Sequence, residues 1–284
     1  MASLNPSSDI SSFINTVFEA AILVARDNNI MPGLVKPFSD RTGVALRKNQ
    51  QYGGATINSI GETDDLVGQA FTPSALSTLT PAEVGAQYFL TDTRIESDPF
   101  SVQSDAATDL GLAMATKFDT DLISNFTSLT SGTIGSAGST ITWSYVFAAE
   151  AILRNAKAPY PYSLVLHPYQ WHQLKKAASV ASSSRTNAPE SLMESVRDSM
   201  FFVHREGGIN IFTSANISAG TSVYGGMFSR DAIALDMRRA PRLEYERDAS
   251  RRGWELNLSA LYAHGVWRPT FGAAILSDAS APTA

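Results

Sequence analysis

The chain has 284 residues, of which 22 are basic and 27 acidic, so its formal net charge at pH 7 is −5. This charge argues against non-specific binding to nucleic acid or anionic membranes over the whole surface, because both need an excess of basic residues. The absence of cysteine excludes disulfides, thiol nucleophiles and cysteine-ligated metal sites. Only 17% of the residues are charged and 44% are hydrophobic. This composition suits a protein whose surface is largely covered by neighbouring subunits.

Near the N-terminus, apolar residues recur at helical spacing from Ile10 to Val24, which predicts an amphipathic helix. Asn15 and Glu19 interrupt the apolar stretch, which therefore fits neither a signal peptide nor a membrane span. The helix must dock on its own domain or on a neighbouring subunit, and periodicity alone favours its own domain. Residues 33–52 then predict strand-like stretches separated by a turn.

The next segment, residues 53–98, contains Gly53, Gly54, Pro73 and Pro81 among many serines and threonines, with only scattered β-forming residues. This composition predicts a long, thinly packed hairpin. A connection of that length is unusual within one globular domain. It becomes reasonable if the hairpin lies on another subunit.

The clearest helix follows this segment. Asp98 is a good N-cap and Pro99 suits the first helical position, where its missing N–H costs nothing. Apolar residues from Val102 to Leu129 continue one helical face. The sequence therefore predicts a helix over 99–129, which would be roughly 45 Å long. This is well above the usual length of about 11–12 residues for a globular helix.

The remainder of the chain predicts an α+β fold. Gly207 and Gly208 mark a hairpin, because glycine tolerates the positive φ that a tight turn requires. The other predicted elements are helices over 143–157, 169–180 and 189–200, a strand over 162–166, and strands within 233–235, 243–246 and 254–275. No internal repeat is present.

Motifs for catalysis or ligand binding are missing from the sequence. No lysine directly follows a glycine, and no Gly-x-Ser-x-Gly motif occurs. Gly132, Gly135 and Gly138 follow no predicted strand, which favours a flexible linker over a phosphate-binding loop. His167 and His172 lie five residues apart across a strand-to-helix junction, which favours turn and packing roles over metal binding. We therefore expect no catalytic, cofactor or metal site and no enzymatic activity.

Charged residues are unevenly distributed along the chain. Residues 62–109 contain nine acids and one base, whereas residues 237–252 contain six arginines and three acids. These are either two ordinary polar surfaces or two surfaces that contact each other, within a subunit or between subunits. Arginine suits such a contact because its planar guanidinium binds a carboxylate through two hydrogen bonds. The candidate contact residues are Glu62, Asp64, Asp65, Glu83 and Asp92 on one side and Arg238, Arg239, Arg242, Arg247, Arg251 and Arg252 on the other.

Three motifs in the second half carry a family resemblance. The first motif is Gly225-Gly226-Met227-Phe228-Ser229, followed by Ala232 to Leu235. The second is Leu164 to Pro168, followed by Trp171. The third is the closing Val266-Trp267-Arg268-Pro269-Thr270-Phe271. With the order of arm, long hairpin, long helix and α+β region, the chain resembles the major capsid proteins of tailed bacteriophages of the Hong Kong 97 type. The resemblance covers nearly the whole chain.

The resemblance implies a division of the chain into five parts. These would be an N-terminal arm (1–33), peripheral-domain strands with an extended β loop (34–98), the spine helix of the peripheral domain (99–140), an axial domain (141–236), and a peripheral-domain return with the C-terminus (237–284). The acidic loop would then lie over the arginine-bearing segment of the next subunit. Neighbouring subunits would supply the burial that the arm, the loop and the long helix lack.

The resemblance also implies a function and a set of partners. The protein would be a structural protein of the virion capsid, assembling in the host cytoplasm as pentamers and hexamers into an icosahedral shell. The shell would enclose double-stranded DNA without sequence-specific binding and without a membrane. A portal protein, a separate scaffolding protein and an optional decoration protein would join it. A separate scaffolding protein is expected because some family members carry a long scaffolding segment ahead of the arm, whereas here the arm begins almost at Met1.

One departure from the type member concerns covalent chemistry. The type member cross-links a loop lysine to an asparagine of a neighbour, but this chain has no lysine between Lys48 and Lys117. We therefore expect a shell held by non-covalent contacts. Two alternatives stay open at this point. One is the shell of an encapsulin-type bacterial nanocompartment, which would enclose a cargo enzyme, and the other is a cytosolic hydrolase with a deep pocket.

Overall fold

The computed structural model describes residues 30–39, 46–52, 54–62, 65, 68–97, 102–181, 202–206 and 208–282. The predicted N-terminal helix, the cap at Asp98 and the predicted helix over 189–200 lie outside these residues. The described chain combines helices with sheets, as the α+β prediction requires.

The first layer is a four-stranded sheet. Its strands are β1 (Lys36–Phe38), β4 (Ala82–Thr91), β10 (Ile233–Asp248) and β11 (Gly253–Val266). They lie in the order β1-β10-β11-β4, with β1 parallel to β10 and the other neighbours antiparallel. A tight turn joins β10 to β11, so these two strands form one long hairpin that includes the whole arginine-rich stretch.

Three helices accompany this sheet. They are α1 (Met31–Leu34), α2 (Asp92–Ser97) and α3 (Val102–Ser124). The long helix α3, called the spine helix below, buries Leu110, Met114, Phe118 and Leu122 at helical spacing. The Phe118 ring meets the ring of Tyr262 on β11, with centroids 4.7 Å apart. The apolar face predicted from the sequence is therefore the face that packs on the sheet.

The spine helix is shorter than predicted at its C-terminal end. Its 23 described residues correspond to about 35 Å, and a 3₁₀ turn over Asn125–Ser128 follows it. The Asn125 side-chain amide donates to the backbone carbonyls of Asp121, at 2.9 Å, and Leu122, at 3.1 Å. These carbonyls lie in the last turn of the helix, where acceptors lose their helical partners, so Asn125 stabilises the end of the helix there.

The second layer is a six-stranded sheet in the order β5-β12-β9-β6-β8-β7. Its strands are β5 (Thr133–Gly135), β6 (Tyr162–Leu166), β7 (Phe202–Glu206), β8 (Ile209–Thr213), β9 (Gly220–Ser229) and β12 (Gly272–Ala279), and the helices α4 (Trp143–Asn155) and α5 (Pro168–Ala181) pack on it. The strand predicted over 162–166 is confirmed, and each of its residues is buried. The hairpin predicted around Gly208 is also confirmed, with φ of 97° at that residue.

The glycine-rich segment before α4 differs from the prediction of a flexible linker. Residues 133–135 form β5, which pairs in parallel with β12. Gly135 has φ of 88°, and a Cβ there would lie 2.3 Å from the carbonyl oxygen of Leu276. Glycine is required at this position both by the backbone angle and by the close approach of β12.

The chain also forms a two-stranded antiparallel hairpin of β2 (Arg47–Tyr52) and β3 (Pro73–Leu79). These two strands pair with each other and belong to neither of the larger sheets. The described residues between 54 and 72 form no helix or strand. The next strand, β4, belongs to the four-stranded sheet through its pairing with β11. The hairpin predicted over 53–98 is therefore wrong in its bounds, because its first strand begins at Arg47 and residues 82–97 belong to β4 and α2. The five-part domain division stays a prediction.

One of the buried apolar clusters connects the two layers. Phe126, in the turn after the spine helix, packs against Phe228 of β9 with ring centroids 5.7 Å apart. Among the described residues, no helix has the length and apolar character needed to cross a membrane.

Candidate subunit-contact surface

The arginine-rich hairpin β10–β11 meets part of the acidic segment within one chain. Arg247 on β10 binds Asp92 at the start of α2 through two hydrogen bonds, Nη1–Oδ1 and Nη2–Oδ2, each 2.9 Å long. The Arg247 guanidinium also lies 5.0 Å from the ring centroid of Trp254. The hydrogen bond to Asp92 is the main cause that raises the pKa of Arg247. This pair joins the far ends of β10 and β4 across the intervening strand β11.

A second ion pair crosses the same sheet. Arg239 on β10 contacts Glu83 on β4, and its Nη2 atom lies 3.5 Å from the Ser259 hydroxyl on the strand between them. The Glu83 side chain is 62% exposed. Exposed pairs of this kind contribute little to stability because water screens the charges. The pair therefore indicates charge complementarity across the sheet more than a large stabilising energy.

Two further arginines of the candidate set lie at the turn between β10 and β11. The Asp248 carboxylate shapes this turn by accepting hydrogen bonds from the Ser250 hydroxyl and from the backbone N–H groups of Ser250 and Arg251. These bonds, led by the Ser250 hydroxyl, lower the pKa of Asp248. Arg252 is exposed and has φ of 50°, an unusual angle for a residue with a side chain. The turn thus holds Arg251 and Arg252 at an exposed corner of the sheet.

The remaining contacts at this corner are local. Arg251 lies 3.5 Å from Glu255 and 4.7 Å from the Phe89 ring centroid, with 63% of its side chain exposed. Arg242 pairs with Glu244 of the same strand at 2.6 Å, and both side chains are about half exposed. These arginines therefore keep a large exposed charged surface.

Arg238 has a different environment from the other candidate arginines. Its side chain is 6% exposed and lies 2.8 Å from the fully buried Asp236. Arg47 on β2 reaches the same Asp236 oxygen at 3.3 Å. Asp236 therefore connects the root of the β2–β3 hairpin to the four-stranded sheet. Sequence reasoning missed this carboxylate, although an isolated acid in the apolar run 232–237 signals a buried charge that needs a basic partner.

A second set of contacts also fixes the hairpin root. The Asn49 amide and the Ser77 hydroxyl both donate to the backbone carbonyl of Trp267. The Arg47 guanidinium lies 4.2 Å from the ring centroid of Phe38, which in turn packs on the Trp267 ring. Side chains from β1, β2 and β3 and the end of β11 thus hold the hairpin at its base.

The far end of the hairpin carries the other acidic candidates. Glu62 and Asp65 are exposed there, and Asp64 lies outside the described residues. The segment also exposes large apolar side chains: Tyr52, Ile57, Ile60 and Phe71 have relative exposures of 47%, 95%, 54% and 76%. The rings of Tyr52 and Phe71 stack on each other, 4.3 Å apart. The hairpin end is therefore both acidic and apolar, a composition typical of a surface that another protein covers.

The histidines and carboxylates of the described residues were the other candidates for a functional site. Within the described ranges, no group of three or more His, Asp or Glu residues has the geometry to hold a metal ion. Burial lowers the pKa of His167, whose Nδ1 accepts from the backbone N–H of Tyr169 at 3.0 Å. This contact agrees with the turn and packing role predicted for His167.

Comparisons with solved structures define the fold. The chain is similar to a Mycobacterium phage Che8 structure, with 16% identity over 87% of this chain and 90% of that chain and a TM-score of 0.72. It is also similar to the capsid of cyanophage P-SCSP1u, with 16% identity over 89% of each chain and a TM-score of 0.66. A virus-like particle from Pyrococcus furiosus matches with 8% identity over 93% of this chain and 99% of that chain, at a TM-score of 0.62. The fold is therefore that of the Hong Kong 97-type shell proteins.

The sequence family is established separately. A family model described as phage capsid protein matches residues 75–275, so the chain belongs to that family. No curated protein sequence matches significantly. The protein is a major capsid protein of a tailed phage, a structural component that self-associates to form the shell of the virion. The family resemblance and the absence of enzymatic function predicted from the sequence are confirmed by this family and fold, and the hydrolase alternative is excluded.

Proposed function

We propose that copies of this chain assemble as pentamers and hexamers into a closed icosahedral shell around double-stranded DNA. Assembly would occur in the host cytoplasm with a portal protein, a separate scaffolding protein and an optional decoration protein. The observation that carries the proposal is the β2–β3 hairpin, which is fixed at its root but exposes Ile57 and Phe71 at its end. Apolar surface of this kind is stabilised when a neighbouring subunit covers it.

Within this shell, the hairpin end of one subunit would contact the arginine corner of the next. Glu62 and Asp65 supply negative charge at the hairpin end, and Arg251 and Arg252 supply positive charge at the turn between β10 and β11. Opposite charges favour the encounter and select the relative orientation of two copies. Glu83 and Asp92, by contrast, already bind Arg239 and Arg247 of their own chain. Glu62 and Asp65 are therefore better candidates for intersubunit contacts than Glu83 and Asp92.

The composition supports DNA as packaged contents without specific binding. With a net charge of −5, the chain lacks the overall basic excess that would hold packed DNA against the shell wall.

We further propose the division into arm (1–33), peripheral strands and loop (34–98), spine region (99–140), axial domain (141–236) and peripheral return (237–284). The anchoring of the hairpin root at the Trp267 carbonyl supports grouping the loop with the peripheral return.

Electron microscopy of the full chain, expressed with and without its neighbouring genes, tests this function. We expect closed polyhedral shells when the neighbouring genes are present, and shells, tubes or sheets without them. Particles isolated after nuclease treatment should retain protected double-stranded DNA. Small, uniform particles of one or a few subunits under both conditions would contradict assembly into a shell.

An encapsulin-type nanocompartment, the alternative left open by the sequence, would share this fold. The match of residues 75–275 to the phage capsid family favours the phage capsid over it. Both candidates require the same fold, and they differ in what the lumen holds. A cargo enzyme inside the purified shells, in place of nuclease-protected DNA, would select the compartment.

A further inference from the structure

His264 on β11 lies beside the C-terminal end of the spine helix in a group of polar side chains. Its Nδ1 atom is 3.1 Å from Asn125 Nδ2, and its Nε2 atom is 3.9 Å from Asp121 Oδ2. Asp121 also binds Lys117, at 2.7 Å, and accepts a hydrogen bond from the Tyr262 hydroxyl. These five residues are called the His264 cluster below. The cluster contains the same Asn125 amide that stabilises the end of the helix.

The contacts of Asn125 determine where the imidazole of His264 carries its proton. Asn125 Nδ2 lies within 3.1 Å of the backbone carbonyls of both Asp121 and Leu122, which are acceptors only. The nitrogen, a donor, must therefore be the amide atom on this side. Because Nδ2 is a donor, His264 Nδ1 has to accept, and the single proton of the neutral ring is on Nε2, which faces Asp121. The hydrogen bonds at the helix end therefore require His264 to be neutral.

A second proton on His264 is incompatible with this arrangement. In the imidazolium both ring nitrogens are donors, so Nδ1–H would face the N–H groups of Asn125. Rotation of the amide by half a turn would bring Oδ1 to the ring, but it would then place that oxygen against the carbonyls of Asp121 and Leu122. Protonation therefore breaks either the contact with His264 or the contacts that stabilise the helix end.

The charges around His264 come from three elements. The spine helix contributes Lys117 and Asp121, and β11 contributes Tyr262, whose pKa is raised chiefly by burial. On β10, Leu235 lies opposite His264, and the adjacent Asp236 is bound by Arg238. For His264 itself, burial lowers the pKa, Asp121 raises it and Lys117 lowers it, with burial the largest cause. The neutral ring is therefore the form present near neutral pH.

The turn that Asn125 begins connects the spine helix to the second layer. Phe126, the next residue, is fully buried, and a Cβ at Gly226 of β9 would lie 2.7 Å from its ring. Such close packing transmits a displacement of the turn to the six-stranded sheet. We propose that the His264 cluster is a proton-sensitive switch: a proton on His264 displaces Asn125 from the carbonyls of Asp121 and Leu122 and loosens the turn at 125–128.

Hydrogen exchange of the full chain tests this switch directly. Exchange is measured by mass spectrometry at about pH 7.5 and about pH 4.5, the lower value being chosen because burial lowers the pKa of His264 from its ordinary range, and is corrected for the intrinsic rate at each pH. We expect amides in residues 125–129 to exchange roughly 3- to 10-fold faster at the lower pH, as local opening becomes easier. Equal corrected rates at the two pH values would overturn the proposal.

Matched variants separate the switch from general acid effects. His264→Gln keeps a neutral acceptor for Asn125, so its exchange at 125–129 should not respond to pH. His172→Gln, which changes an exposed histidine on α5, should respond like the wild type. A pH response in His264→Gln equal to that of the wild type would refute the role of His264.

A third variant keeps the test informative if His264→Gln fails to fold. Asn125→Ala removes the amide that couples His264 to the helix end. Its residues 125–129 should exchange fast at both pH values, with no further increase under acid conditions. A wild-type pH response in this variant would show that the amide does not transmit the proton's effect.

Discussion

Arg247 and Asp92 form a two-point ion pair, with both nitrogen–oxygen distances at 2.9 Å. The arginine belongs to β10, and the aspartate begins α2 directly after β4. Trp254, on the strand between them, supports the guanidinium from one side. The pair therefore fastens the end of the acidic segment to the arginine stretch of the same chain.

Charge reversal at Arg247 is expected to release α2 while leaving the two sheets folded. Arg247→Glu places a carboxylate against Asp92, and like charges at this distance repel. We expect faster hydrogen exchange across residues 92–97 and only a small fall in Tm, since both side chains are partly exposed. Arg242→Glu is the control, because Arg242 pairs with Glu244 on its own strand. Identical exchange of residues 92–97 in the two variants would argue against the pair.

The arginine corner is expected to matter for assembly much more than for folding. Arg251→Glu combined with Arg252→Glu should reduce particle yield roughly tenfold, as lost charge complementarity slows and weakens subunit association. The unassembled subunit should keep the Tm of the wild type, since both side chains are exposed. Sedimentation of lysates and thermal unfolding measure the two effects.

Partial rescue by a second reversal identifies the partner. Glu62→Lys with Asp65→Lys should restore particles to the arginine double variant if the hairpin end contacts the corner of a neighbour. The same substitutions alone should reduce assembly. Normal particle yield from the arginine double variant would remove the basis for this contact.

Asp119 is expected to contribute strongly to stability. This fully buried carboxylate on the spine helix accepts from the backbone N–H groups of Ile30 and Met31, and from side chains of Ser214 and Asn216. Asp119→Asn removes the charge and turns an N–H group towards donors, which should lower the free energy of unfolding by about 1.5–3 kcal/mol. Urea unfolding of the subunit measures this loss. Asp105→Asn, on the exposed side of the same helix, should change it little.

Gly226 is expected to tolerate no side chain. A Cβ there would lie 2.7–2.9 Å from atoms of the buried Phe126 ring. Gly226→Ala should therefore cost about 1–3 kcal/mol through overpacking, measured by the same urea unfolding. Gly33→Ala is the matched control, because no atom lies within 4 Å of a Cβ built there. Equal stability of the two variants would show that the turn at Phe126 adjusts freely.

Local signals were enough to predict several elements. The apolar run at 162–166 and the glycine pair near 208 predicted β6 and the β7–β8 turn, because both depend on neighbouring residues alone. The sequence predicted the position of the spine helix and its buried face, but it did not predict the residue at which the helix ends. That end depends on Asn125, whose amide also contacts His264 139 residues away. A periodicity of apolar residues contains no information about such a contact.

The features that the sequence did not predict depend on contacts between residues far apart in the chain. Only two residues separate β3 from β4, yet β4 pairs with β11, about 170 residues later in the chain. The charge distribution indicated that acids meet arginines, but it could not assign Glu83 and Asp92 to their own chain. The buried carboxylates Asp119 and Asp236 were missed because each also binds a distant partner, Asn216 and Arg47, which lie 97 and 189 residues away in the sequence.

The β2–β3 hairpin is held firmly at one end and lightly at the other. Its root is bound by Asp236 and by the carbonyl of Trp267, whereas Thr56 and Gln69 make a pair of hydrogen bonds near its end. A projection with few contacts of its own bends at low energetic cost. One sequence can then meet neighbours at more than one angle, and the proposed closure of a curved shell from rings of five and of six identical subunits would demand this tolerance.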